Sequence, residues 1–509
     1  MKKSHPSLIG LCALLCFMSS AQADNIYVDA SYAGSIETGE ETTPFKTIQA
    51  GIGWAIPTFQ TVYVKAGTYI ERITLRGGVD VVGEGSDSVT INGSSAGTVV
   101  TANNVSDVLL QGFTITGGSQ SLGGGISIDN STVTIDACVI TDNWAARGGG
   151  IYVDSSNSEL DGSDVTVTDC DILLNNAVTG TGESEGAGIA VLESTINIYN
   201  TYVISNTCDS IGGGIIIDNY STADIDRCSI TDNFALDGAG IYWKLSDGTL
   251  RRSMIADNTA TRDGGGIFID TSAPKITRSR ISGNDSNTSY SGFGGGVYFW
   301  HSSNAALYNC IIDLNYSWWR IGGVCCDNSA ATITNNTIVS NGGYDLPGGI
   351  VALDTTMPNV LNCILWGNGF DLVGVTANYT QIENGDMGGQ HNSDEDPLFA
   401  DASEHDYTLQ PGSPCRDTGY DDASFNDPDG TRNDRGAYGG PYAEVASDAD
   451  GSGRVDVLDL IHVRNNLNKE PGSDGDQNCD INGDGSINIL DMIMVRNHLN
   501  EGTPVSQWP

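Results

Sequence analysis

Basic residues are scarce in this chain: 23 Lys and Arg stand against 64 Asp and Glu, for a formal charge of −41 at pH 7. Such a surface repels nucleic acid and draws cations. Histidine is scarcer, with six in 509 residues, of which His301, His391 and His405 lie outside the leader and the C-terminal repeats described below. Beyond the N-terminus no apolar run reaches the length of a membrane span, so no helical span is expected. The chain is nonetheless no disordered polyanion, because 39% of its residues are hydrophobic and only 17% charged. A long core is affordable.

The first 23 residues, "MKKSHPSLIGLCALLCFMSSAQA", have a basic start, a short apolar run and a small-residue end. They read as a secretory signal cleaved before Asp24, which places the protein outside the cell or at its surface. Neither Cys12 nor Cys16 sits in a lipoprotein box. Twelve cysteines in an exported chain normally suggest a disulfide framework. The repeats argue against one.

Glycine is abundant where charge is not. "GGGI" ends at Ile126, Ile151, Ile215 and Ile267, "GAGI" at Ile189 and Ile241, "GGGV" at Val297, and weaker forms at Val324 and Ile350. Successive marks are 25 to 30 residues apart, except for one 38-residue step caused by an insertion around "NSELDGSD". An asparagine follows 17 or 18 residues after most anchors: Asn143, Asn206, Asn233, Asn258, Asn284, Asn315, Asn341 and Asn368. Periods of this length carried by β-branched residues describe a solenoid in which each repeat is one rung. Before each asparagine comes a strand such as "CSITDN" or "CIIDLN", whose period of two sends a small residue and an Ile, Val or Leu inward. Cys138, Cys170, Cys228, Cys310 and Cys363 share that small-residue column with Thr201, Ser253, Ser279 and Asn336, so they are expected as buried packing residues. Members of one column several rungs apart exceed the reach of a disulfide. Cys325 and Cys326 are expected on opposite faces. The glycines do not follow the calcium-binding nonapeptide pattern, which needs Gly where Ile267 stands.

Upstream, an amphipathic segment over 44–55 is expected to cap the open first rung, where unpaired backbone otherwise invites aggregation. With "NIYVDASYAG", "GVDVVGEG" and the closing "DPLFADASEHDYTLQPGSPCRDTG", this order resembles right-handed parallel β-helix proteins of the pectin-lyase-like superfamily, over about residues 25 to 440. The resemblance implies an all-β solenoid over 24–440 and a superfamily that includes polysaccharide lyases and glycoside hydrolases.

The C-terminus is different. Counted from Asp448, oxygen-bearing side chains fall at loop positions 1, 3, 5, 9 and 12 (Asp448, Asp450, Ser452, Asp456, Asp459), with Gly453 at position 6. Counted from Asp480, 32 residues later, the set is Asp480, Asn482, Asp484, Asn488 and Asp491, with Gly485. Calcium takes six to eight hard oxygen ligands, and a loop supplies them at alternating positions when glycine permits the sharp turn. Position 7 adds a backbone carbonyl, from Arg454 and Ser486. Each loop is followed by one helix and ends in Asp, not Glu, so the pair resembles the duplicated F-hand repeats of a type I dockerin. That resemblance implies two calcium ions and a cohesin domain on a scaffold protein as partner. In that family positions 10 and 11 help choose the cohesin; here they are Val457 and Leu458, then Ile489 and Leu490. The expected order is signal 1–23, solenoid 24–440, linker 441–447, dockerin 448–500 and tail 501–509.

Fold alone does not give a reaction. The polygalacturonase signatures Asn-Thr-Asp, Gly-His-Gly and Arg-Ile-Lys are absent. Two readings stay open. In one the solenoid degrades a plant or algal polysaccharide and the dockerin recruits it to a complex; in the other it is a non-catalytic glycan binder, adhesin or spacer. Strand alternation predicts an outward column of Tyr242, Phe268 and Tyr298 beside a second of Asp218, Lys244, Asp270, Trp300 and Asp327. The aromatics, with Trp300, are candidate sugar platforms. Lys244 is the candidate base of a lyase, and Asp218 with Asp270 the candidate hydrolytic pair. The alternatives are that loops cover this sheet, or that a further calcium bridges the aspartates.

Two loops crowded with carboxylates repel themselves without a cation, so calcium is expected to fold 448–500. Excess EDTA should abolish the helical circular dichroism of this segment and leave the β-sheet signal intact. Helicity that persists in EDTA would refute the assignment.

Overall fold

The computed structural model describes residues 25–57, 60–155, 162–180, 184–286, 292–301, 303–318, 321–343, 348–384, 388–428, 430–441, 443, 457–469, 479 and 486–497. The expected signal, the 501–509 tail and most of both calcium loops lie outside them.

One rung shows how the coil is built. Ile215–Asp218 is a strand of the first sheet, Thr222–Asp226 of the second, Ser229–Thr231 of the third and Phe234–Asp237 of the fourth. Each pairs in parallel with its equivalents one rung away, giving sheets of 12, 14, 13 and 8 strands. Alternation fixes what is buried: Ile215, Ile217, Ala223, Ile225 and Ile230 point into one continuous core that runs the length of the solenoid. The glycines close the fourth corner. Gly212 has φ +68°, and a Cβ on Gly214 would meet the carbonyl oxygen of Gly240 at 2.6 Å.

Three corners carry polar ladders that point inward. At the third, nine asparagines stack on consecutive rungs from Asn143 to Asn368, including Asn175 of the insertion-bearing repeat. The Asn206 backbone N–H donates to Asn233 Oδ1 at 3.0 Å, and its Nδ2 donates both to that oxygen and to the Ile172 carbonyl. Every donor and acceptor of a mid-stack amide is thereby matched. At the second corner lies the expected small-residue column, its N–H groups donating to the side chain one rung on, as from Cys228 to Ser253 Oγ at 3.0 Å. A serine ladder at the first corner, which the sequence reading missed, repeats the device: Ser131 N–H to Ser163, Ser221 N–H to Ser246, and Ser246 N–H to Ser272.

The cysteines of the column are buried, and Cys325 and Cys326 divide between the aromatic layer and the main core. One pair in this column lies closer than the expected several rungs. Val139 pairs with Asp171, so Cys138 and Cys170 occupy adjacent rungs, and the Cys138 N–H donates to Cys170 Sγ at 3.4 Å. The 38-residue step inserts sequence without inserting a rung, so this pair lies within disulfide reach.

Both ends are closed. Helix α1 (Ile48–Trp54) starts at the N-cap Thr47 and buries Ile48, Gly51 and Ile52; a Cβ on Gly51 would touch Val28 and Val62 of the first rungs. At the other end the closing segment folds over the last third of the third sheet. There Phe399, Tyr407 and Cys415 pack on Val339 and Ile364, and Asn433 Oδ1 accepts from Asn335. Two further helices, α2 (Val457–Asn466) and α3 (Ile489–Asn497), pair through Val463, Cys479, Ile487 and Val495.

The asparagine stack yields a stability prediction. Asn233→Ala leaves the Asn206 backbone N–H and one of its Nδ2 hydrogens without an acceptor in the buried core, at a cost of about 3 kcal/mol. Thr222→Ala, on the exposed side of the second sheet, should leave the urea midpoint unchanged. Equal midpoints for both variants would contradict the role given to the stack.

Candidate functional site

The first sheet brings the predicted polar column together on its outer side. Lys244 pairs in register with Asp270, and Lys244 Nζ lies 3.2 Å from Asp218 Oδ2. Beyond Asp270 stand Trp300 and Asp327 on successive rungs. His301 Nδ1 reaches to 3.7 Å from Asp270, with the His301 ring stacked on Trp300 at 3.6 Å between centroids.

The aromatic column beside it is corrected. Tyr242, Phe268 and Tyr298 are only 5%, 3% and 4% exposed. After the fourth sheet the chain swings outward and doubles back, so that Leu122, Arg147, Glu185, Ile211 and Asp237 bridge one another in parallel as an outer column. Ile211, Phe293 and Ile321 of this column pack onto the aromatic layer. Tyr242 and Phe268 stack at 4.7 Å between centroids, and Phe268 meets Tyr298 edge-on. They form the floor beneath the charged groups and offer no open face to a sugar. Trp300, half-buried, packs at the edge of this layer.

The covering column supplies ionisable groups that strand alternation did not reveal. Arg147 Nε lies 3.0 Å from Glu185 Oε2. Burial pushes the Glu185 carboxyl above the usual range, and the nearby Asp218 adds to this, while Arg147 and Lys244 oppose it. Arg262 grips both oxygens of the buried Asp237. Burial, and then the Asp237 carboxylate, push Asp263 up to about 7; its Oδ1 accepts the Phe293 N–H. The result is a band with Arg147, Lys244, Arg262 and His301 at the rim and carboxyl groups of unequal acidity between them. Separated acidities of this kind suit general acid and base work.

No group of three or more His, Cys, Asp or Glu among the described residues is arranged to hold a metal, so the expectation of a calcium bridging the aspartates finds no support there. Asp218 and Asp270 are instead divided by Lys244.

In the C-terminal unit, Asp448, Asp450, Ser452, Arg454, Asp456, Asp480, Asn482 and Asp484 lie outside the described residues. Of the remaining calcium candidates, Asp459 is fully buried in the first turn of α2, Ser486 and Asn488 precede α3, and Asp491 lies within α3. A buried carboxylate in a set of hard oxygen donors fits calcium. Val457, Leu458, Ile489 and Leu490 are all exposed, one apolar pair at the start of each helix.

Comparison with known proteins agrees with this architecture. The family of the right-handed β-helix region matches residues 77–287 and 213–386, more than half of the chain, and the dockerin type I family matches 446–500. The chain belongs to the right-handed parallel β-helix proteins. It carries, further on, a type I dockerin domain. No curated relative matches. Similar solved structures include a periplasmic alginate epimerase (10% identity, TM-score 0.39, 66% of this chain and 76% of that one). A pectate lyase (11%, 0.38, 82% and 96%) and the pectin methylesterase from carrot (14%, 0.30, 56% and 91%) are others. Likeness at this level concerns the coil and transfers no chemistry.

Asp263 makes stability depend on pH with a definite sign. Folded, it holds its proton up to about pH 7; unfolded, only to about pH 4. The native state binds the extra proton in that window, so stability falls as pH rises from about 4 to 7 and stays lower above it. Asp263→Asn keeps an oxygen for the Phe293 N–H and removes this dependence. Its melting temperature should exceed the parent's at pH 8 and match it at pH 4. The same difference at both pH values would contradict the assignment.

Proposed function

We propose that this protein is an exported polysaccharide-degrading enzyme that cleaves glycosidic bonds at the outer band of its first sheet, and that its dockerin docks it onto a cohesin-bearing scaffold. The observation that carries the reading is the joining, in one chain, of a dockerin type I domain to a β-helix whose ionisable groups gather on one sheet. The anionic surface argues against nucleic acid as substrate. No helix among the described residues is long and apolar enough to cross a membrane.

Within this reading, hydrolysis is better supported than elimination. A lyase base must be free to reach the substrate proton, whereas Lys244 Nζ is engaged by Asp218 at 3.2 Å. Asp218 and Asp270 stand two rungs apart, roughly 9 to 10 Å by strand spacing, near the upper end for a pair that activates water and inverts. Asp263, pushed up to about 7 by burial, is the candidate proton donor, with Glu185, also raised by burial, beside it, and Asp218 or Asp270 is the candidate base. When bound, calcium holds the dockerin loops in shape. Val457 and Leu458, or Ile489 and Leu490, then present an apolar contact to the cohesin, so either repeat can dock.

A panel of pectins, alginates, xylans and glucans tests this. Reducing ends should appear without unsaturated-product absorbance on at least one of them. Asp218→Asn or Asp270→Asn should slow release by about a hundredfold or more. Unsaturated products that disappear in Lys244→Ala would show elimination instead. No product from any substrate would leave a glycan-binding or spacer role for the coil.

A further inference from the structure

One line of rings on the coil follows the outer side of the fourth sheet. Its outer column runs in unbroken parallel register from Trp144 to Tyr316, with Phe234 midway. Each of these rings is three rungs from the next, about 14 Å at strand spacing. Trp144 and Phe234 are each 40% exposed, and Trp318, which meets Tyr316 edge-on at 6.3 Å, is 46% exposed. The Trp144 Nε1–H donates to the Val178 carbonyl at 3.1 Å, which fixes the ring against the neighbouring rung. Beneath the face, the inward positions are small, as at Ala177, Cys208 and Ala235, so the strands lie close over the core.

Rings held at a fixed interval on an open sheet suit the apolar faces of sugars, and the Asn176, Thr207 and Thr259 positions between them offer partners for hydroxyl groups. Charge selects the kind of sugar. The column has no Lys or Arg, and Asp285 is its one carboxylate, in a chain of net charge −41. An acidic polysaccharide would meet repulsion here without a compensating cation; an uncharged one would not. A pyranose unit in an extended chain is about as long as one rung is high, so a glycan lying along the coil axis stays in phase with the sheet and meets a ring at every third unit.

We propose that the outer face of the fourth sheet is a binding platform for an uncharged, extended polysaccharide. It rests on the polysaccharide reading above but uses a different sheet from the reacting band. It would hold the polymer while the first sheet works on it.

Affinity electrophoresis of the full chain in calcium, through native gels containing hydroxyethylcellulose, xylan, glucomannan or polygalacturonate, tests the platform. At least one neutral polymer should retard the parent. Trp144→Ala and Phe234→Ala should each weaken that retardation about tenfold, and the triple variant with Tyr316→Ala should abolish it. Tyr220→Ala, more exposed still but off this face, should change nothing. Either single variant suffices if the triple one melts early. Retardation by polygalacturonate alone, or equal retardation of parent and variants, would overturn the proposal. So would self-association that the variants abolish without any glycan effect, which would assign the face to a second copy of the chain. Product release from short soluble oligosaccharides, measured on the same variants, separates the two readings. Loss of retardation with release unchanged is expected. Absent retardation with normal release would remove the platform alone, and retardation without release would remove the reacting band alone.

Discussion

The side-chain amides stacked at the third corner are the constraint on which the rest of the solenoid depends. A buried asparagine is costly unless each of its donors and acceptors is met, and a neighbour one rung away in strict register meets them. A slip of one residue would orphan the amide and turn the hydrophobic side of every strand outward. Nine such residues in succession hold the four sheets to one register, and the serine and small-residue ladders repeat the condition at the other two corners.

Register then decides what the outside can do. A side chain at a given place in the repeat stands directly over its equivalent, so chemistry arises in columns. The outer side of the first sheet acquires Asp218, Lys244 and Asp270 in line, and the column that doubles back over it adds Glu185, Asp237 and Asp263. Buried rings between the two columns lower the local dielectric, which spreads the acidities of the carboxyl groups apart. Among the described residues the outward rings of the fourth sheet have no covering column, and Trp144 and Phe234 are open to solvent. One coil thus carries two faces of opposite character, one charged and partly covered, one aromatic and nearly uncharged.

The coil was legible because glycine and asparagine mark each turn at fixed offsets, and the cap at 44–55 because its apolar positions repeat with a helical period. The dockerin repeats were legible because oxygen-bearing side chains recur at the same positions in two copies. Strand alternation correctly placed Tyr242, Phe268 and Tyr298 on the outer side of their sheet, yet period two is silent about what passes above. The covering column has no sequence mark of its own: it runs through Leu122, Arg147, Glu185, Ile211 and Asp237 and on to Asp263, Phe293 and Ile321, residues of unlike chemistry. Glu185 and Asp263 escaped notice for that reason, although each lies within a few residues of a glycine triplet that was recognised. The serine ladder was missed because serine is common in any turn. Cys138 and Cys170 were placed too far apart because an insertion lengthens the sequence between them without adding a rung.

Hydrogen exchange of the full-length protein, read by mass spectrometry, tests the ladder account most directly. Amides flanking the stacked asparagines between Ile172 and Asn315 should exchange slowest and as one contiguous block, with protection falling toward α1 and the closing segment, since opening any interior rung breaks contacts on both sides. Fast exchange at the corners of the interior rungs, equal to that of the terminal ones, would contradict it.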